Sequence, residues 1–144
     1  MMHSTVPSAY WWGNYHIGRS IRDIVLCYGW RTKAISRRPQ VRDDNQVRKI
    51  ISNNLSDLGS KETLQGGVAF FSRVEDLRQA VVQGDARICY LLAQALEKHF
   101  LADSILFQAS NRGASEEEVW NRLANSPERV QLLAEAEELK RQVK

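Results

Sequence analysis

The chain has 144 residues, of which 43% are hydrophobic and 26% charged, with a net charge of +3. That length suits one domain, the apolar fraction suffices for a packed core, and three prolines and eight glycines exclude a fibrous or low-complexity chain. No apolar run approaches the ~20 residues of a bilayer span, and residues 1–10 show no basic stretch leading into an apolar one, so a cytoplasmic protein with no membrane partner is expected.

The charge is unevenly spread. Residues 1–50 carry nine Lys/Arg against three acids, a net +6, so the remaining 94 residues carry −3. Six of the eight Trp and Tyr residues lie between Tyr10 and Trp30. This polarity points to a binding face for an acidic partner.

In chain order, residues 1–16 read as an N-terminal aromatic arm. Ile17, Ile21, Ile24, Val25 and Tyr28 then recur at helical spacing. Gly29 is expected to supply a turn, with a short second helix over 31–36 before Pro39. Residues 44–58 hold the clearest helix signal, with Val47, Ile50, Ile51, Leu55 and Leu58 on one face. Asp43 or Asp44 caps its start and Gly59 its end. Residues 60–71 are ambiguous: Gly66 and Gly67 break the pattern, and 68–71 suits either a strand or a buried helix.

From Ser72 onward the pattern is helical. Ser72 with Glu75, and Ser115 with Glu118, fit capping boxes, and Ser126 before Pro127 fits an N-cap followed by proline at the first helical position. Gly84 and Asp85 separate two helices, the second reaching Phe107. No apolar/polar alternation is sustained anywhere, so the expected fold is all-α. It is a single helical domain over 1–144 with five to seven helices: an arm (1–16), a basic helical region (17–58) and an acidic helical region (72–144). A 29-residue shift aligns Leu77 with Leu106, Gly84 with Gly113 and Ala95 with Ala124, which suggests a duplicated hairpin.

Residues 21–38 have the grammar of a DNA-reading helix-turn-helix, with Val25 where the helices cross, Gly29 in the turn and Ile35 as anchor. The second helix would present Arg31, Lys33, Arg37 and Arg38, with Arg42 beyond it, to phosphates and guanine edges. The competing reading is an amphipathic helix followed by a solvated basic loop. The same spacing recurs at Ala109, Gly113 and Val119, where Glu116, Glu117 and Glu118 would repel phosphate and suit a first helical turn instead. Tyr10, Trp11, Trp12 and Tyr15 form the candidate partner-binding set, with core packing as the alternative.

Nothing supports catalysis. His3, His16 and His99 lack ligand-spaced partners, and Cys27 and Cys89 form no CxxC pair. No glycine motif that cradles phosphate is present. No metal, cofactor or small-molecule ligand is expected, and the protein is read as non-enzymatic.

Two stretches resemble known families. LRQAVVQGDARICYLLAQAL at 77–96 is similar to one hairpin of Sel1-like repeats, which implies a helix-turn-helix packing unit. RDI at 22–24, GW at 29–30, SRRPQ at 36–40 and the acidic pair Asp43 and Asp44 resemble elements near the start of lambdoid phage Q-type antitermination proteins. The match has one inserted residue in the SRPQ element and does not extend into the C-terminal half. It implies a transcription regulator that binds DNA and RNA polymerase. The sequence thus favours a regulator that contacts nucleic acid, with DNA expected, through its basic N-terminal third. The rival is a helical protein–protein adaptor with no nucleic-acid binding.

Overall fold

The computed structural model describes residues 7–31, 44–58, 67–110 and 116–144, with side chains at 16–29, 45–58, 69–106, 117–118 and 121–144. Among the described residues there are six helices and no strand: α1 (Pro7–Arg31), α2 (Asp44–Asp57), α3 (Gly67–Gln83), α4 (Ala86–Ser110), α5 (Glu116–Leu123) and α6 (Pro127–Val143). The all-α expectation and the helix count both hold.

Each long helix forms where apolar residues repeat at three and four positions, because that spacing gathers them into one stripe. On α1 the stripe is Ile17, Ile21, Ile24, Val25 and Tyr28, all buried. On α2 it is Val47, Ile51, Leu55 and Leu58, and on α3 Phe70, Val74, Leu77 and Ala80. α4 differs in burying residues around much of its circumference, among them Cys89, Leu91, Ala93, Leu96 and His99. It is therefore the central helix, and α1, α3, α5 and α6 all pack against it, while α2 packs against α1.

The pairings are antiparallel. Gly18 of α1 faces Phe100, and Arg22 reaches Glu97 at 3.1 Å. Lys98 pairs with Glu135 at 2.9 Å, and Arg129 lies 3.8 Å from Asp103, so α6 runs back along α4. Small residues permit this closeness: a Cβ on Gly18 would lie 2.7 Å from the Phe100 ring, and Ala93, Ala102 and Ala136 are fully buried.

Two junctions match the sequence. Gly84 closes α3 in the left-handed region (φ +85°), its N–H donating to the Ala80 carbonyl at 3.0 Å, and Asp85 Oδ1 accepts from the Ile88 N–H at 3.1 Å to open α4. Ser126 caps α6, its Oγ accepting from the Arg129 N–H at 3.3 Å, with Pro127 first in the helix. Cys27 and Cys89 are both buried, and neither is in a disulfide.

Four expectations are corrected. The helix of 17–28 starts earlier, at Pro7, so the aromatic segment from 7 to 16 is helical backbone continuous with it; proline suits a first helical position. The expected turn at Gly29 is absent, since α1 continues through Gly29 to Arg31. Glycine inside a helix costs ~1 kcal/mol relative to alanine, less than the ~1.5–3 kcal/mol from burying each large side chain of the adjoining stripe. A helix-turn-helix pivoting on Gly29 is thereby excluded. Ser72 does not cap α3, which begins at Gly67, because Phe70 continues the spacing of Val74 and Leu77 backwards. The duplicated hairpin is not followed at its end: Ala95 is buried within α4, whereas Ala124 sits in the turn after α5. Gly113, Ser115, the end cap at Gly59 and most of the expected helix at 31–36 lie outside the described residues.

The α2 register admits a direct test. Ile51 is 3% exposed but borders a cleft, so water can partly fill the space left by truncation. Ile51→Ala is expected to cost ~2–3 kcal/mol, the lower part of the usual range. A loss below ~0.5 kcal/mol in urea unfolding would place this face outside the core.

Candidate nucleic-acid interface

The basic segment is tethered at both ends by packed helices. Arg31 is the last residue of α1, and α2 resumes at Asp44. Lys33, Arg37, Arg38 and Arg42 lie between them and outside the described residues, as does the side chain of Arg31. Tyr10, Trp11, Trp12 and Tyr15 occupy the first half of α1 by backbone, with side chains outside the described set.

The described cations near this segment divide into two kinds. Arg22 is spent on Glu97, an exposed pair that adds little stability. Arg48 and Lys49, in the second turn of α2, are exposed and make no ion pair among the described residues. Cations near a helix N-terminus gain nothing from the macrodipole. Among the described residues Arg48 and Lys49 thus close no ion pair, and beyond the acidic pair Asp43 and Asp44 they add positive charge on α2 to that of 31–42.

Beside them lies a cleft of about 740 Å³. Its floor is apolar, with Tyr28 from the last turn of α1, Ile51 and Leu55 from α2, and Val81 from α3. Arg48 and Arg78 line its sides. Arg78 is held in place, Nη2 donating to the Leu55 carbonyl at 3.1 Å while Nη1 pairs with Glu75. Sequence reading missed this cleft because its walls come from segments far apart in the chain.

A second constellation was also missed. His99 on α4 is 7% exposed, among Arg73 of α3 and Arg129, Glu137 and Lys140 of α6. Burial, followed by the nearby Arg73 and Lys140, pushes its pKa down to about 4, so the ring is neutral at pH 7. One turn on, burial raises the pKa of Asp103, with Arg73 and Arg129 opposing. His99 Nε2 and Arg129 Nε have no hydrogen-bond partner among the described residues. The adjoining cavity, lined in part by Arg73, Asp76 and Lys140, measures only about 10 Å³, room for one water and too small for a substrate. Charges of both signs alternate there, which makes it a polar junction of α3, α4 and α6. The helical spacing from Ala95 and Leu96 to His99 and Ala102 was the available signal.

Among the described residues no group of His, Cys, Asp or Glu could hold a metal ion, and no helix is long and apolar enough to cross a membrane. No protein-family model, curated protein or solved structure matches the chain. The molecule is thus defined as an all-α protein by its own architecture.

Proposed function

We propose that the protein is a non-enzymatic cytoplasmic regulator that binds nucleic acid, DNA foremost, through the basic segment joining α1 and α2. The observation that carries this reading is that Arg48 and Lys49 are exposed and in no ion pair among the described residues, and follow Arg31, Lys33, Arg37, Arg38 and Arg42 in the chain after the acidic pair Asp43 and Asp44. Cations that neither cap helices nor close ion pairs are available to phosphates. The resemblance of residues 22–44 to phage antitermination proteins makes transcription the process it would regulate and RNA polymerase the protein it would contact. Tyr10, Trp11, Trp12 and Tyr15 supply a second partner-binding set in this reading. The protein-only adaptor is the rival, favoured by the cleft beside α2.

Salt titration of binding to random duplex DNA tests the proposal. The logarithm of the binding constant should fall linearly with log salt, with a slope near −0.9 per phosphate neutralised. Replacing Arg37 and Arg38 with Ala should weaken binding about tenfold or more and flatten the slope by about one unit per lost contact. Arg48→Ala with Lys49→Ala should do the same, and its thermal midpoint should hold because both positions are exposed. Wild-type protein without salt-dependent affinity for DNA or RNA would leave the adaptor in its place.

A further inference from the structure

The cleft is a gap between helices rather than a pit in one surface. α2 packs against α1 and does not lie side by side with α3. The two are bridged instead by the long side chain of Arg78, reaching from α3 to the Leu55 carbonyl. The α2 wall runs from Arg48 to Ser56, about 12 Å at 1.5 Å per residue, or roughly two helical turns. The opposite wall runs from Arg78 through Val81 and Val82 of α3 to Gly84 and Ala86, and Val82 is 82% exposed although the residue before it is half-buried.

Shape, polarity and charge narrow the occupant. The cleft is only partly enclosed, whereas small-molecule sites bury ~70–90% of their ligand. Its apolar floor suits the i, i+3/i+4, i+7 anchors of a helix laid into a groove. Two arginines flank that floor, and no carboxylate is among the described lining residues. Arg78 is already paired with Glu75, so an occupant with an acid beside its apolar stripe would match Arg48, which is exposed and in no ion pair among the described residues. We propose that the gap between α2 and α3 docks an acidic amphipathic helix of a protein partner. This deepens the protein-contact half of the regulator reading and does not require that nucleic acid bind.

The test uses the full chain and a displayed library of short helical peptides with randomised faces, the selected peptides being measured by fluorescence anisotropy. Selected sequences should carry apolar residues at helical spacing flanked by Asp or Glu. Val82→Glu and, separately, Ser52→Glu should weaken them at least tenfold, about 1.4 kcal/mol. Both positions are exposed, and an unchanged thermal midpoint in either variant keeps the comparison valid. Peptides without acidic bias would overturn the proposal, as would binding indifferent to both substitutions or the selection of no binder. Capture of apolar carboxylates but no peptide would make the cleft a small-molecule site. Val82→Gln, which adds no charge, should leave nucleic-acid affinity unaltered. Peptide docking lost while salt-dependent DNA binding persists therefore sinks this proposal alone, and the converse sinks the nucleic-acid reading alone.

Discussion

Leu77→Ala should destabilise the protein by about 4 kcal/mol, while Val82→Ala, five residues along the same helix, should change stability by less than ~0.5 kcal/mol. Leu77 has no exposed surface and is enclosed by the core that α3 shares with α1, α2 and α4. Its truncation removes favourable transfer energy and leaves a cavity that the surrounding large side chains cannot collapse to fill. Val82 projects from the same α3 into solvent. Denaturant unfolding of the two variants reads the difference directly. Equal losses would mean that α3 is rotated about its axis from the arrangement described above. A loss of 4 kcal/mol is also a large share of the ~5–15 kcal/mol that stabilises a typical domain, so Leu77→Ala should be markedly prone to thermal unfolding.

Acid should destabilise the protein through His99. Its folded pKa of about 4 lies below the ordinary value of 6.5, so between these values the unfolded chain binds the proton and the folded protein does not. Stability therefore falls as pH drops through this window and is fully lowered below pH 4. A depression from 6.5 to about 4 corresponds to about 3 kcal/mol. Asp103 acts in the opposite sense: its raised pKa means that its buried carboxylate costs stability at neutral pH, and protonation relieves that cost in acid. The two overlap near the bottom of the window, so total stability is a poor readout of either. The measurement is the difference between wild type and His99→Gln, which retains Asp103 but cannot titrate at position 99. That difference should shift by about 3 kcal/mol between pH 7 and pH 4. Parallel pH profiles for the two proteins would show that His99 is not held neutral by burial among Arg73, Lys140 and Arg129.

Wherever a helix depended on its own periodicity or its own cap, the linear sequence sufficed. The stripes on α1 and α2, the break at Gly84 and the Ser126 cap were legible because a 3.6-residue repeat, a left-handed glycine and a serine hydroxyl act over a few residues. Gly29 and Ser72 misled for the converse reason. Each is a plausible local boundary, and each was overridden by burial of the stripe running past it, Tyr28 on one side of Gly29 and Phe70 before Ser72.

Both candidate sites illustrate the same division. The basic residues from Arg31 to Lys49 lie close together in the chain, with only Asp43 and Asp44 opposing them, so charge counting finds them without any fold. That Arg48 and Lys49 are exposed and in no ion pair among the described residues required the packed α2, since charge alone does not say which cations are already paired, as Arg22 is by Glu97, 75 residues away. The α2–α3 cleft and the His99 junction were invisible in one dimension, because a cavity or a depressed pKa belongs to groups from several helices at once. What the amino-acid sequence determined is therefore the helices and the polarity of charge, both local sums. Which faces meet, which charges cancel and where a gap remains were decided only when α4 gathered α1, α3 and α6 around itself, because burial and electrostatic coupling depend on distance in space rather than along the chain.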